Sequence, residues 1–313
     1  MTEVEMSDLS TSIDLDDETV EDPEQIRMTV IVPVHNAGAH LVQCLNSLVR
    51  QTLDRTEFLC IDDGSTDDSA RILDTYAKYD PRFRIIHQKN VGVGPTRNRG
   101  LDEARGAYVA FMDADDYYPS HHTLKKLWVE AEASGVAIAG GSFSEDHGNG
   151  KTRTSWTGIY AKYTFPEDGL VKYKDYQFDY GFHRFIYKTS FLREHDLHFP
   201  PYIRFQDPPF FVRAMALAGS FYAVALPTYR YRWGHQKLTW DERRTLDLVK
   251  GLRDNLRIAV DFDLDGLRDL TWGRLAEEYR DRILARVAEG DVELKTVLAE
   301  CQALAPVGAT SIG

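Results

Sequence analysis

Along the first half of the chain, short β-branched runs alternate with apolar stripes at helical spacing. "MTVIVPV" (Met28–Val34) reads as a strand, and Leu41, Leu45 and Leu48 behind it recur as one helix face. The cycle repeats. "EFLCI" (Glu57–Ile61) runs into the polar "DDGSTDDS", after which Ile72, Leu73 and Tyr76 supply a second helical stripe. "FRIIHQ" (Phe83–Gln88) leads through the glycine-rich "NVGVGPT" into a helix at "RNRGLDEA", and "AYVAFM" (Ala107–Met112) runs into "DADDYY". A helix over "HHTLKKLWVEAEAS" and a strand over "VAIAGGSF" follow, and strand character returns at "SFYAVAL" (Ser220–Leu226). From Thr239 the pattern is helical, with Leu246, Val249 and Leu252, then Leu275, Tyr279 and Ile283, on single faces.

Four strand signals alternating with helices predict an α/β fold with a doubly wound, mostly parallel sheet, followed by a helical C-terminal extension. In such sheets ligands bind outside the carboxyl ends of the strands. His35-Asn36, Asp62-Asp63, the loop at Gly92 and Asp113 to Asp116 all fall at that edge, so acids scattered in sequence converge in space. The expected organisation is an acidic disordered tail over 1–26 and a nucleotide-type front half over 27–135. A more variable middle follows over 136–236, then a helical cap over 237–313.

Composition narrows the function. The net charge of -12 is concentrated in Met1–Gln25, which holds about ten acids and no Lys or Arg. The remainder is nearly neutral and offers no clustered cations for a nucleic-acid backbone. The tail has neither the basic start nor the apolar stretch of a signal peptide, and no run approaches the ~20 apolar residues of a membrane span. Cys44, Cys60 and Cys301 lack metal-type spacing and read as buried thiols in a reducing cytoplasm.

The candidate chemistry lies in "FMDADDYY". In extended chain Asp113 and Asp115 point to one side and Ala114 to the other. Such a pair suits a hard cation, Mn²⁺ or Mg²⁺, that keeps positions open for substrate phosphates. The same residues also suit turn and helix-cap chemistry. "GVGPTRNRG" lacks the Gly-Lys-Ser/Thr ending of a phosphate-cradling loop. Arg97, at the start of the following helix, is placed to face phosphate or base, or to pair at the surface.

Taken in order, "VIVPVHN", "CIDDGSTDDS", "NVGVGPTRNRGLDEARG", "AYVAFMDADD" and, further on, "FQDPPFFVRAMALAG" with "YRYR" resemble the motifs of family 2 inverting glycosyltransferases of the GT-A fold. The likeness spans about Met28 to Arg232. It implies a nucleotide diphosphate sugar donor, UDP-sugar above all, and a glycan or lipid-linked acceptor. By the same resemblance Pro33, His35 and Asn36 line the nucleotide pocket, and Asp62 or Asp63 hydrogen-bonds uracil. Asp113 touches the ribose or metal-bound water, Asp115 ligates the cation, and His235 completes the metal shell. Asp207 is the implied base; the family's usual Glu-Asp pair here reads Gln206-Asp207, so one carboxylate is replaced by an amide. A helix cap explains Asp207 equally, given Pro208 and Pro209.

The aromatic stretch from Trp156 to Tyr187 is expected to serve acceptor recognition, with core packing as the other reading. The amphipathic C-terminal helices suit either an intramolecular cap or a homodimer contact. The expected location is cytoplasmic, peripheral at the membrane's cytoplasmic face if the acceptor is lipid-linked. A sugar nucleotidyltransferase would want a basic loop after the first strand, which "PVHNAGAH" is not. A glycoside hydrolase needs two carboxyls flanking one bond. The reading from another class is a non-catalytic nucleotide-sugar-binding scaffold.

Overall fold

The computed structural model describes residues 25–234 and 239–312; the acidic tail through residue 24, and His235, lie outside the described residues. The chain opens with four strand–helix units. These are β1 (Met28–Val34) with α1 (Gly38–Val49), β2 (Thr56–Asp63) with α2 (Ser69–Tyr79), β3 (Phe83–Gln88) with α3 (Val93–Glu103), and β4 (Tyr108–Phe111) with α4 (Thr123–Ser134). Then come β5 (Ile138–Asp146), β6 (Thr152–Arg153), β7 (Gly169–Lys172), α5 (Tyr173–Tyr176), β8 (Phe185–Lys188), α6 (Thr189–Glu194), α7 (Asp207–Ala218) and β9 (Ser220–Arg232). Helices α8 (Glu242–Asp261), α9 (Asp265–Gly273), α10 (Arg280–Ala288) and α11 (Val292–Ala303) complete the chain.

The strands form one sheet in the order β3-β2-β1-β4-β8-β5-β9-β7, with β6 beside β5. β1 to β5 and β9 run one way; β6, β7 and β8 run the other. Side chains alternate along β1, and both sets are apolar, which is why the run reads as continuous. Val30, Val32 and Val34 pack with Leu41 and Leu45 of α1, Leu73 of α2 and Leu124 of α4. Ile31 faces the other layer, with Leu101 of α3, Leu192 of α6 and Phe210 of α7. The sheet is therefore wound on both sides, as the alternation predicts. All three cysteines are buried and unbridged.

Two elements depart from the sequence reading. β9 extends through Arg232, six residues beyond the predicted end at Leu226. Pro227 argues against a strand continuing, but it pairs with Ser142 where the register between β5 and β9 shifts. The irregularity accommodates a residue with no N–H, and it carries Tyr229, Tyr231 and Arg232 to the sheet edge. The second departure is in the helix expected to carry Leu275, Tyr279 and Ile283 on one face. It breaks into a π turn over Arg274–Glu278, closed by the Tyr279 N–H donating to the Arg274 carbonyl at 2.9 Å.

That turn sends Arg274 inward. Its Nη2 and Nε donate to the two oxygens of Asp179 at 2.7 and 2.9 Å, and its guanidinium lies 3.8 Å from the centre of the Tyr180 ring. The pair is buried and joins the helical extension to the sheet body. The extension also has an apolar core of its own, formed by Leu248, Leu252, Leu256, Leu275, Ile283 and Leu294, while Ala259, Leu264 and Leu267 pack into the core of the sheet body. Removing one partner of a buried pair strands the other charge, at a cost of about 3–5 kcal/mol. Arg274→Ala is expected to lower the unfolding free energy by that order, read from urea denaturation against wild type.

Candidate active site

The carboxyl ends of β1, β2 and β4, the start of α7 and the end of β9 surround a cleft of about 470 Å³. Pro33, His35, Asp63, Arg97, Asp113, Asp115 and Asp207, all predicted from sequence, line it together. Asn36 and Asp62 are not among the lining residues. Asn36 takes a left-handed backbone, φ 51°, and its Oδ1 accepts the Thr66 N–H at 2.8 Å, tying the loop after β1 to the loop after β2. One oxygen of Asp62 accepts the Ser65 N–H at 3.0 Å and the other meets His87 Nδ1 at 3.0 Å. Burial opposes ionisation of Asp62, but the bonds from Ser65 and His87 prevail and hold its carboxyl below the usual range.

Asp63 faces the cleft while fixing its glycine loop. Its oxygens accept the N–H groups of Val91 and Gly92, both at 2.9 Å, and the Gln88 amide at 2.8 Å. Gly92 sits at φ 92°, where a side chain would be strained, so the glycine is what lets this backbone turn towards the carboxylate. His35 Nδ1 lies 2.9 Å from the Asp63 carbonyl.

Asp113 to Asp116 form a turn, with the Asp116 N–H donating to the Asp113 carbonyl at 3.0 Å, rather than the alternating extended chain predicted. Asp113 and Asp115 still share the cleft, but Ala114 lines it too. Arg97 is neither at the surface nor open to solvent: it is 4% exposed. Its Nη2 donates to Asp113 Oδ1 at 2.6 Å, and the rings of Phe182 and Phe199 flank it at 4.8 and 5.3 Å. Burial raises the Asp113 carboxyl, yet the Arg97 charge, with His183 and the Arg97 hydrogen bond, brings it below the usual range. Asp116 is fully buried and accepts the Tyr229 hydroxyl at 2.8 Å and the Arg232 N–H at 2.7 Å. Burial and the neighbouring Asp115 and Asp113 push it well above the usual range.

Across the cleft Asp207 opens α7, with Gln206 before it and Pro208 and Pro209 in the first turn. Burial raises the Asp207 carboxyl above its ordinary value, against the lowering influence of Arg97. A carboxylate that holds its proton more tightly is a better proton acceptor near neutral pH.

The sequence reading missed Phe182, His183, Arg204 and Tyr231, which also line the cleft. His183 rests 4.0 Å from the Tyr229 ring centre, and neither ring nitrogen has a hydrogen-bond partner. Burial depresses it to about 3, so the ring is neutral. The signal for it is topological rather than local. β8 runs antiparallel to β4, so residues just before β8 end beside those just after β4. The aromatic stretch is divided: Tyr173, Tyr176 and Phe178 are buried in the core, whereas Phe182 lines the cleft and Tyr160 is exposed.

Among the described residues no group of three or more His, Cys, Asp or Glu side chains is arranged to hold a metal. The two cleft carboxylates, one already paired with Arg97, are hard oxygen donors. That set fits a divalent cation whose remaining ligands come from substrate, as Mg²⁺ sites with one or two protein carboxylates do.

Comparison with known proteins bears on the family and the fold. A family model described as Glycosyl transferase family 2 matches residues 29–194. The uncharacterized glycosyltransferase EpsJ of Bacillus subtilis is 32% identical over 217 residues, covering 68% of this chain and 62% of that protein. The poly(ribitol-phosphate) beta-glucosyltransferase of Bacillus spizizenii is 30% identical over 212 residues, 66% of this chain and 32% of its own. The chain spans about three fifths of the length of EpsJ and of its Bacillus subtilis counterpart EpsH. In fold it is similar to S. aureus TarS 1-349 in complex with UDP-GlcNAc, with a TM-score of 0.69 at 20% identity over 90% of this chain and 82% of that fragment. It is also similar to the mannosyltransferase PcManGT of Pyrobaculum calidifontis in complex with GDP-Man and Mn²⁺, with a TM-score of 0.56 at 16% identity over 90% and 80%.

His183 gives the site a pH signature. Its unfolded value is near 6.5 and its folded value about 3, so on acidification the unfolded chain takes up the proton first. The contribution of His183 to stability therefore falls as pH drops below 6.5, against opposite contributions from the raised carboxyls of Asp116 and Asp207. Asp113 adds a loss of the same sign only near and below 3.8. His183→Gln is expected to flatten the decline between about pH 6.5 and 4.5, measured as urea midpoints of variant and wild type.

Proposed function

The chain belongs to glycosyl transferase family 2, an inverting family, and on that premise we propose that it moves a sugar from a nucleotide diphosphate sugar, UDP-sugar in particular, to a hydroxyl of a glycan or lipid-linked acceptor. The observation that carries this reading is one cleft lined both by Asp113 and Asp115, after β4, and by Asp207, at the start of α7. On this reading Asp63 hydrogen-bonds the nucleotide base from the cleft it lines, and TarS with bound UDP-GlcNAc supports the choice of uridine.

In the proposed reaction Asp207 accepts the acceptor's hydroxyl proton as that oxygen bonds to the anomeric carbon. The bond from that carbon to the diphosphate oxygen breaks on the opposite face, which inverts the centre. Holding donor and acceptor against facing walls removes most of the entropic part of the barrier. Asp115, with Asp113 beside it, would hold Mn²⁺ or Mg²⁺, which when bound neutralises the departing diphosphate. Arg97 acts at one remove, keeping Asp113 ionised and in place. Gln206 provides no second carboxylate, so the tighter proton hold of Asp207 rests on burial. We assign the product to cell-surface polysaccharide or glycoconjugate synthesis and the reaction to the cytoplasm, at the membrane surface for a lipid-linked acceptor. Among the described residues no helix is long and apolar enough to cross a membrane.

Calorimetry with UDP, GDP and dTDP, with and without Mn²⁺, tests the donor side. UDP is expected to bind best, and to lose its Mn²⁺ dependence in Asp115→Ala. Asp207→Asn is expected to bind UDP normally and to lose about 10²–10⁴ in turnover, the usual worth of a positioned base. Unimpaired turnover in that variant would refute the role given to Asp207, and UDP binding with no turnover in the wild type would favour a scaffold.

A further inference from the structure

Phe205, two residues before Asp207, has a backbone φ of 64°, a left-handed conformation that a bulky residue rarely adopts. Such a residue persists only where its surroundings over-determine it, and here the surroundings belong to α8. The Phe205 ring is buried in the core of the C-terminal helices with Leu248 and Leu252. The Ile203 N–H donates to Asp247 Oδ2 at 3.0 Å, and the Tyr202 hydroxyl donates to Asp254 Oδ2 at 2.7 Å. Between those two acids stands Gly251. A Cβ there would sit 2.6 Å from the Phe205 carbonyl oxygen and 2.8 Å from its ring.

Residues 247, 251 and 254 follow one another at helical spacing and form one stripe of α8. That stripe meets the loop at Tyr202, Ile203 and Phe205, while Arg204 and Gln206 between and beyond them line the cleft. Asp247 is fully buried and also accepts Arg243 Nε at 2.9 Å, so its acceptor is held in place. The family match ends at residue 194, short of both α7 and α8.

We propose that the Asp247–Gly251–Asp254 face of α8 is a positioning element for the transfer reaction, clamping the strained loop Tyr202–Phe205 so that Asp207 meets the acceptor in register. This rests on the reading of Asp207 as the base. The donor wall comes from β1, β2 and β4, which α8 does not shape. Loosening the clamp therefore lowers kcat and leaves nucleotide binding alone.

The test compares Asp247→Ala and Gly251→Ala with Leu294→Ala, which injures the same helical core away from the loop. The first two are expected to lose about 10- to 100-fold in kcat, the scale of an ångström-sized misplacement, with the UDP Kd within about twofold of wild type. Asp247→Asn, which keeps an oxygen for the Ile203 N–H, is expected to recover most of the loss. Leu294→Ala is expected to lose Tm but not kcat. Hydrogen exchange of residues 202–207 gives a readout independent of turnover, expected to quicken in Asp247→Ala and Gly251→Ala only. Unchanged exchange there, or kcat falling in step with Tm in all variants, overturns the clamp. Quickened exchange with kcat intact would instead overturn its coupling to Asp207, and turnover surviving in Asp207→Asn would remove the base reading beneath it.

Discussion

The pair of buried Arg97 and part-buried Asp113 is the joint on which the site turns. A guanidinium almost closed to solvent is tolerable only with a partner and a surface that accepts it. Asp113 supplies the charge, and Phe182 and Phe199 supply the faces. Those four residues come from α3, the loop after β4, the turn before β8 and the loop before α7. The pair thus ties the nucleotide-type half of the sheet to the segment that delivers Asp207. It also keeps ionised a carboxylate that burial alone would neutralise.

Charge is distributed unequally around that joint, and the distribution suits the chemistry. Asp113 is held towards its ionised form, whereas Asp207 across the cleft and Asp116 beneath it are pushed the other way by burial. On the proposed reading, environment separates two carboxyls of one chemical type into an electrostatic anchor and a proton acceptor. His183, kept neutral by burial, adds no cation to compete with Arg97.

The parallel half of the fold was legible because its strands are short, doubly buried and followed by leucines at helical spacing, a pattern that local sequence carries in full. The convergence of Asp63, Arg97, Asp113 and Asp115 followed from strand order alone. What local sequence could not carry was contact between distant elements. Pro227 finds its place only through the shifted register with β5, and that register brings Tyr231 of "YRYR" to the cleft. His183 reaches the cleft through an antiparallel pairing between segments about 75 residues apart. Arg97 was recognised as a site residue, but its burial depends on aromatic rings that sequence reading had assigned to no partner. The turn at Asp113 shows the opposite case: the shared face was foreseen for a reason, strand alternation, that does not operate there.

The insertion of β8 between β4 and β5 has a consequence for the chain's birth. During synthesis β1 to β4 can pair as soon as they emerge, since their contacts are with near neighbours. The outer edge of β4 then stays open until residues 185–188 leave the ribosome and close it. An unpaired apolar edge is a template for another chain, and this one lasts for about 75 residues of elongation, a few to some fifteen seconds at ordinary rates. The nascent chain is therefore most exposed to aggregation in that interval, when β1 to β4 have emerged and the strand that covers their edge has not.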